Sequence, residues 1–128
     1  MDANQRILLI RRVCPRGQLT DGGHAVHFEI ARQGRVLPAF AVGFAGATHA
    51  YVNICPHRGT SLDWQPGEVF DESGLYLICA THGALFEPET GLCVAGPCQG
   101  AYLQKIPLRN DADHVVLAHD ILGNFTNE

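Results

Sequence analysis

The segment Thr48-His49-Ala50-Tyr51-Val52-Asn53-Ile54-Cys55-Pro56-His57-Arg58-Gly59-Thr60 decides how the rest of the chain is read. Thr48 to Ile54, following Gly46, has the β-branched and aromatic content of a strand. A thiol and an imidazole, Cys55 and His57, come directly after it, and then glycine. The same order recurs downstream. Leu75 to Ile78 reads as a strand and runs straight into Cys79-Ala80-Thr81-His82-Gly83-Ala84, with 21 residues between His57 and Cys79. One such pair reads most simply as a buried cysteine beside a surface histidine. Two pairs, each at a strand end and each followed by glycine, read as one site. Two antiparallel loops at one end of a β domain bring four such ligands together. Gly59 and Gly83 there let the backbone approach a buried inorganic centre without a Cβ clash.

Outward from these loops, short β-like segments alternate with turn signals, and no long stripe of helical period appears. Arg6 to Val13 reads as a strand ended by Cys14-Pro15-Arg16-Gly17. Val26, Phe28 and Ile30 alternate with His27 and Glu29, the pattern of a half-buried strand. Gln33-Gly34 turns into Val36 to Phe44, where Pro38 implies an edge or a bulge. Asp71-Glu72-Ser73-Gly74 is a hairpin loop between Val69-Phe70 and Leu75 to Ile78, and Pro88-Glu89-Thr90-Gly91 joins Leu85-Phe86 to Leu92–Val94. Tyr102 to Arg109 and Val115 to Ala118 flank a turn at Asn110-Asp111-Ala112-Asp113, and the residues from Gly123 on read as a frayed end. This spacing fits an all-β fold, a small β-sandwich or barrel with the two ligand loops at one end.

At 128 residues the expectation is a single domain over 1–128. The 14 glycines and 7 prolines suit a turn-rich β protein and fall short of a low-complexity chain. Five cysteines are too few, and odd in number, for a disulfide scaffold. The formal charge of −4 argues against nucleic acid as the main partner. Residues 59–104 contain no Lys or Arg but carry Asp63, Glu68, Asp71, Glu72, Glu87 and Glu89. Such a stretch is either a solvated acidic surface or a docking face for a basic partner. The longest apolar run near the start, Ile7-Leu8-Leu9-Ile10, is too short for a secretory signal or a membrane span, so a soluble, cytoplasmic protein with reduced thiols is expected.

Cys-x-His followed by Cys-x-x-His resembles the signature of the Rieske [2Fe-2S] family. The resemblance implies one [2Fe-2S] cluster, with Cys55 and Cys79 on one iron and His57 and His82 on the other. Gly96-Pro97 resembles the proline-containing loop that covers the cluster in that family. High-potential members carry a further cysteine in each loop, joined as a disulfide, and the corresponding positions here are Thr60 and Thr81. Those members also place hydrogen-bond donors, Ser and Tyr, where this chain has Ala84 and Phe86. Fewer donors to sulfur leave more electron density on the reduced cluster, so a low potential is expected.

The resemblance further implies a stand-alone ferredoxin, not an enzyme. It would carry one electron from a flavin-dependent NAD(P)H reductase to a terminal oxygenase of the aromatic-ring-hydroxylating type. No Gly-rich dinucleotide loop accompanies the motif. Other readings are a nitrite-reductase small subunit, a regulatory Rieske module or a structural Cys₂His₂ zinc module. The zinc reading is disfavoured because such sites usually space Cys with Cys and His with His. Asp111-x-x-His114-x-x-x-x-His119 imitates a mononuclear iron motif. However, Val115-Val116-Leu117 reads as a strand, and residues five apart on a strand face opposite sides. Cys14, Cys93 and Cys98 are expected as buried thiols, and Trp64, Phe70, His24, His27 and His49 as structural residues.

Overall fold

The computed structural model describes residues 12–32, 34–56, 59–63, 65–111 and 114–117. The strands are β1 (Arg12–Pro15), β2 (Val26–Arg32), β3 (Arg35–Phe44), β4 (Ala47–Val52), β5 (Leu77–Ile78), β6 (Leu85–Phe86), β7 (Cys93–Ala95), β8 (Lys105–Ile106), β9 (Leu108–Asp111) and β10 (His114–Leu117). Among the described residues the only helical element is a single 3-10 turn, Arg16–Gln18, so the fold is all-β as expected. The strands form three antiparallel sheets, ordered β2-β3-β4-β8, β1-β10-β9 and β5-β6-β7.

The four-stranded sheet is central because both of its faces are apolar. Successive residues of a strand point to opposite faces. Phe40 and Val42 of β3 and Tyr51 of β4 therefore enter one core, with Leu62, Val69, Leu77, Phe86 and Leu103. Ala39 and Ala41 of β3 and Ala50 and Val52 of β4 enter the other, with Ile30, Ile106 and Leu117. Side-chain size sorts the faces. Large residues fill the side toward β5-β6-β7, and small ones admit close approach of β1-β10-β9. Each large side chain buried in this way contributes about 1.5–3 kcal/mol.

Local chemistry sets the connections. Ala45 and Gly46, with φ of 52° and 79°, form a two-residue turn between Phe44 and Ala47. The Asp21 carboxylate accepts a hydrogen bond from the Gly46 N–H at 3.2 Å. The buried Tyr51 hydroxyl donates to the Pro88 carbonyl at 2.7 Å and ties β4 to the β6–β7 turn. Burial, and then Glu89 and Glu87, push its phenol above the ordinary range, so it stays a donor.

Three expectations are corrected. Pro38 lies in an interior strand, opposite Glu29 of β2. The β3–β4 ladder ends at Ala39 and Val52, so Pro38 stands where β3 has a ladder on one side only. Tyr102 to Arg109 is not one strand, because Pro107 divides it into β8 of the central sheet and β9 of the β1-β10-β9 sheet. At the start, Cys14 and Pro15 belong to β1 instead of ending it, since an edge strand tolerates proline at its last position. Residues 6–11 of that expected strand, and those from Gly123 on, lie outside the described residues.

Candidate metal centre

The two candidate ligand loops are the same turn built twice. In the first, the Cys55 N–H donates to the Thr60 carbonyl at 2.7 Å and the Gly59 N–H to the Cys55 carbonyl at 2.8 Å. In the second, the Cys79 N–H donates to the Ala84 carbonyl and the Gly83 N–H to the Cys79 carbonyl, both at 2.9 Å. Gly59 and Gly83, at φ of 74° and 73°, hold equivalent places. Their glycine is required by this left-handed backbone, because an added Cβ would meet no other protein atom within 4 Å.

Both turns put sulfur inside, and the second puts its imidazole outside. Cys55 and Cys79 are each 1% exposed and belong to the same core, whereas His82 is exposed. None of the five cysteines forms a disulfide. His57 and its neighbour Arg58 lie outside the described residues, as do Trp64 and His119. Among the described residues, no three His, Cys, Asp or Glu side chains group around a single ion. A two-iron cluster spreads its thiolates and imidazoles over two metals. Two buried thiols of one core, with an imidazole at the surface, are a donor set that such a cluster fits.

The turns are clasped to each other and to the central sheet. The Thr60 and Thr81 hydroxyls meet at 3.2 Å, where high-potential members of the resembled family hold a disulfide. An exposed hydroxyl pair is worth about 1 kcal/mol or less, against about 2–4 for a disulfide, so this clasp is the weaker one. The Ala80 N–H donates to the Leu62 carbonyl at 3.0 Å and joins the second turn to the end of the first. Asn53, a buried polar residue at the end of β4, braces that segment. Its Oδ1 accepts from the Leu62 N–H and its Nδ2 donates to Asp63 Oδ1, both at 2.9 Å. Asp63 Oδ2 also accepts from the Gly67 N–H at 3.0 Å and pairs with His27 Nε2 at 2.8 Å. Sequence reasoning missed this brace. Its signal was a lone Asn in the apolar run before Cys55.

Gly96-Pro97 lies against the site. A Cβ on Gly96, at φ 99°, would stand 2.8 Å from Ala84 Cα, so only glycine lets the turn approach the second ligand loop. Ala84 and Phe86 are buried there, and neither side chain can donate a hydrogen bond. Cys93 and Cys98 meet across this turn as thiols, with Sγ atoms 3.1 Å apart, and Cys14 is buried elsewhere. The other described histidines have neighbours of their own. His24 pairs with Glu68 at 2.6 Å, and His49 is crowded by burial and by Lys105, which lower its pKa. His114 stands opposite Asp111 in the β9–β10 ladder, so Asn110 and Asp111 belong to a strand and not to the expected turn, while Val115–Leu117 is a strand as expected.

The model of the Rieske [2Fe-2S] domain family matches residues 10–110. The fold is shared with the ferredoxin of carbazole 1,9a-dioxygenase from Nocardioides aromaticivorans IC177, at a TM-score of 0.65 and 24% identity over 84% of this chain and 94% of that one. It is shared with a ferredoxin from Sphingomonas yanoikuyae B1, at a TM-score of 0.65 and 21% identity over 84% and 96%. A third match, at a TM-score of 0.64 and 22% identity over 84% and 90%, comes from a complex of reduced oxygenase and oxidized ferredoxin in carbazole 1,9a-dioxygenase. No curated protein matches the chain by sequence. The chain belongs to the Rieske [2Fe-2S] domain family, and its cofactor is a [2Fe-2S] cluster.

Proposed function

We propose that this protein is a soluble, cytoplasmic, low-potential Rieske ferredoxin, a single domain over residues 1–128. It carries one electron from a flavin-dependent NAD(P)H reductase to a terminal oxygenase of the aromatic-ring-hydroxylating type. Cys55, Cys79, His57 and His82 hold the cluster, the thiolates on one iron and the imidazoles on the other. The observation that carries the reading is the asymmetry of the site, with sulfur in the core and His82 at the surface. An electron enters and leaves such a centre at its exposed imidazole edge. The family match and the fold shared with dioxygenase ferredoxins support the carrier role. No helix among the described residues is long and apolar enough to cross a membrane.

Asp71 and Glu72 support an acidic docking face. They line a groove with Phe70, Ile78, Cys79, Ala80 and Gly83, so negative charge adjoins the second ligand loop. A basic partner is drawn to this edge of the site. The test is a reconstituted chain of NAD(P)H, flavin reductase, this protein and an aromatic-ring-hydroxylating oxygenase. Product formation stops when this protein is omitted and grows with its concentration. Asp71→Lys with Glu72→Lys raises the KM for this protein roughly 3–10-fold and flattens its salt dependence, with the visible spectrum of the cluster unchanged. An unchanged KM and salt dependence removes the acidic docking face, and product formed without this protein removes the carrier role.

A further inference from the structure

We propose that Cys93 and Cys98 form a redox-modification site, a dithiol that a small disulfide such as oxidised glutathione converts into a disulfide across the Gly96-Pro97 turn. The two Sγ atoms stand 3.1 Å apart, against about 2.05 Å in a disulfide, so a shift of roughly 1 Å joins them. The backbone holds the pair in register. The Cys93 N–H donates to the Ala101 carbonyl at 2.8 Å, and the Gly100 N–H to the Cys93 carbonyl at 2.9 Å. The Ala101 N–H donates to the Cys98 carbonyl at 2.9 Å, so both cysteines are tied to one short segment. Gly96, at φ 99°, turns the chain between them. Disulfides in a reducing compartment are mostly transient or redox-sensing, and a preformed thiol pair suits that use.

Exposure sets the order of events. Cys98 is partly exposed and the other four cysteines are buried, so Cys98 meets a solute first. Its sulfur attacks one sulfur of the small disulfide, and the displaced sulfur leaves with the proton as a free thiol. The Cys93 sulfur, which touches Cys98 and points its S–H to the Ala95 carbonyl at 3.2 Å, then attacks the mixed disulfide at Cys98. A second small thiol leaves with the Cys93 proton. Two electrons and two protons have passed from the dithiol to the small disulfide. Burial and the hydrogen bond with Cys93 raise the Cys98 pKa, so the exchange is slow at neutral pH. The bond has a consequence for the site. A Cβ on Gly96 would stand 2.8 Å from Ala84 Cα, so the turn it crosses lies on the second ligand loop. The disulfide clamps that cover in place. This consequence rests on the reading of Cys55 and Cys79 as ligands, whereas the disulfide itself does not.

The test counts thiols in the iron-loaded protein. The holoprotein is held anaerobically for hours in oxidised glutathione, quenched in acid, unfolded and alkylated. Wild type falls from five alkylated cysteines to three, the two lost mapping to Cys93 and Cys98, and dithiothreitol restores all five. Cys98→Ser loses no pair, and Cys93→Ser stops with one glutathione on Cys98. If Cys93→Ser fails to fold, Cys98→Ser and the peptide map decide. Iron release to a chelator slows about 3–10-fold when the wild type is oxidised and is unchanged in Cys98→Ser. Five thiols surviving in the wild type, or a pair lost equally in Cys98→Ser, overturns the proposal. A disulfide that leaves iron release unchanged overturns the clamp. Iron retained in Cys55→Ala defeats the ligand reading instead, and the thiol count still decides the disulfide.

Discussion

Replacing either Cys55 or Cys79 by alanine leaves a folded, colourless protein, its iron falling from about two per chain to nearly none. Both thiols are buried in one core, so each truncation removes an anionic ligand from the site. The fold survives because the central sheet packs its large side chains without the sulfurs, and a chain of this size buries roughly two-thirds of its unfolded surface. Circular dichroism of a β protein with unchanged amplitude, together with loss of the visible bands and of iron, is the expected pair of observations. Retention of the full cluster spectrum in either variant contradicts the ligand assignment.

The second large effect falls on stability. Asn53→Ala leaves the buried Leu62 N–H without its acceptor and Asp63 without one of its donors. A buried unsatisfied amide costs about 1–3 kcal/mol, and a hydrogen bond to a charged group adds about 1.5–3. Partial rehydration of Asp63, which is already half-buried, offsets some of this, so the expected loss is about 2–4 kcal/mol. Thermal unfolding then begins roughly 8–20 °C lower. Because Leu62 also accepts from the Ala80 N–H, both ligand turns loosen, and iron is lost faster to a chelator. A stability change below about 0.5 kcal/mol, the scale of an ordinary surface substitution, shows that the brace is ornamental.

The fold was legible wherever a side chain's environment follows from its neighbours in sequence. Alternation at Val26, Phe28 and Ile30 marks β2, and Asp71–Gly74 and Pro88–Gly91 mark their turns, since period and turn chemistry are local properties. The role of Pro38 was not legible, because it depends on where a distant strand, β4, stops pairing. Pro107 could have warned of the break between β8 and β9, but the apolar residues on either side concealed it.

Within the site, residue type and spacing singled out Cys55, Cys79 and His82, and the thiols are buried while the imidazole is exposed. His57, read from the same pattern, falls outside the described residues. The supports of the site were much less visible. The Thr60–Thr81 contact joins residues 21 apart, and the Asn53–Asp63–His27 chain crosses from β4 to β2. Such contacts exist only after the sheets have formed.

The central claim is that this chain holds a low-potential cluster suited to feeding electrons to an oxygenase. Ala84 and Phe86 donate no hydrogen bonds, the Thr60–Thr81 pair replaces a disulfide, and Asp71 and Glu72 set negative charge beside the second ligand loop. All of these destabilise the added electron. The most direct measurement is a potentiometric titration of the holoprotein followed by EPR of the reduced cluster. It should give a midpoint toward the lower end of the range of roughly −150 to +300 mV spanned by His₂Cys₂ clusters, and a midpoint above about +100 mV would contradict the account.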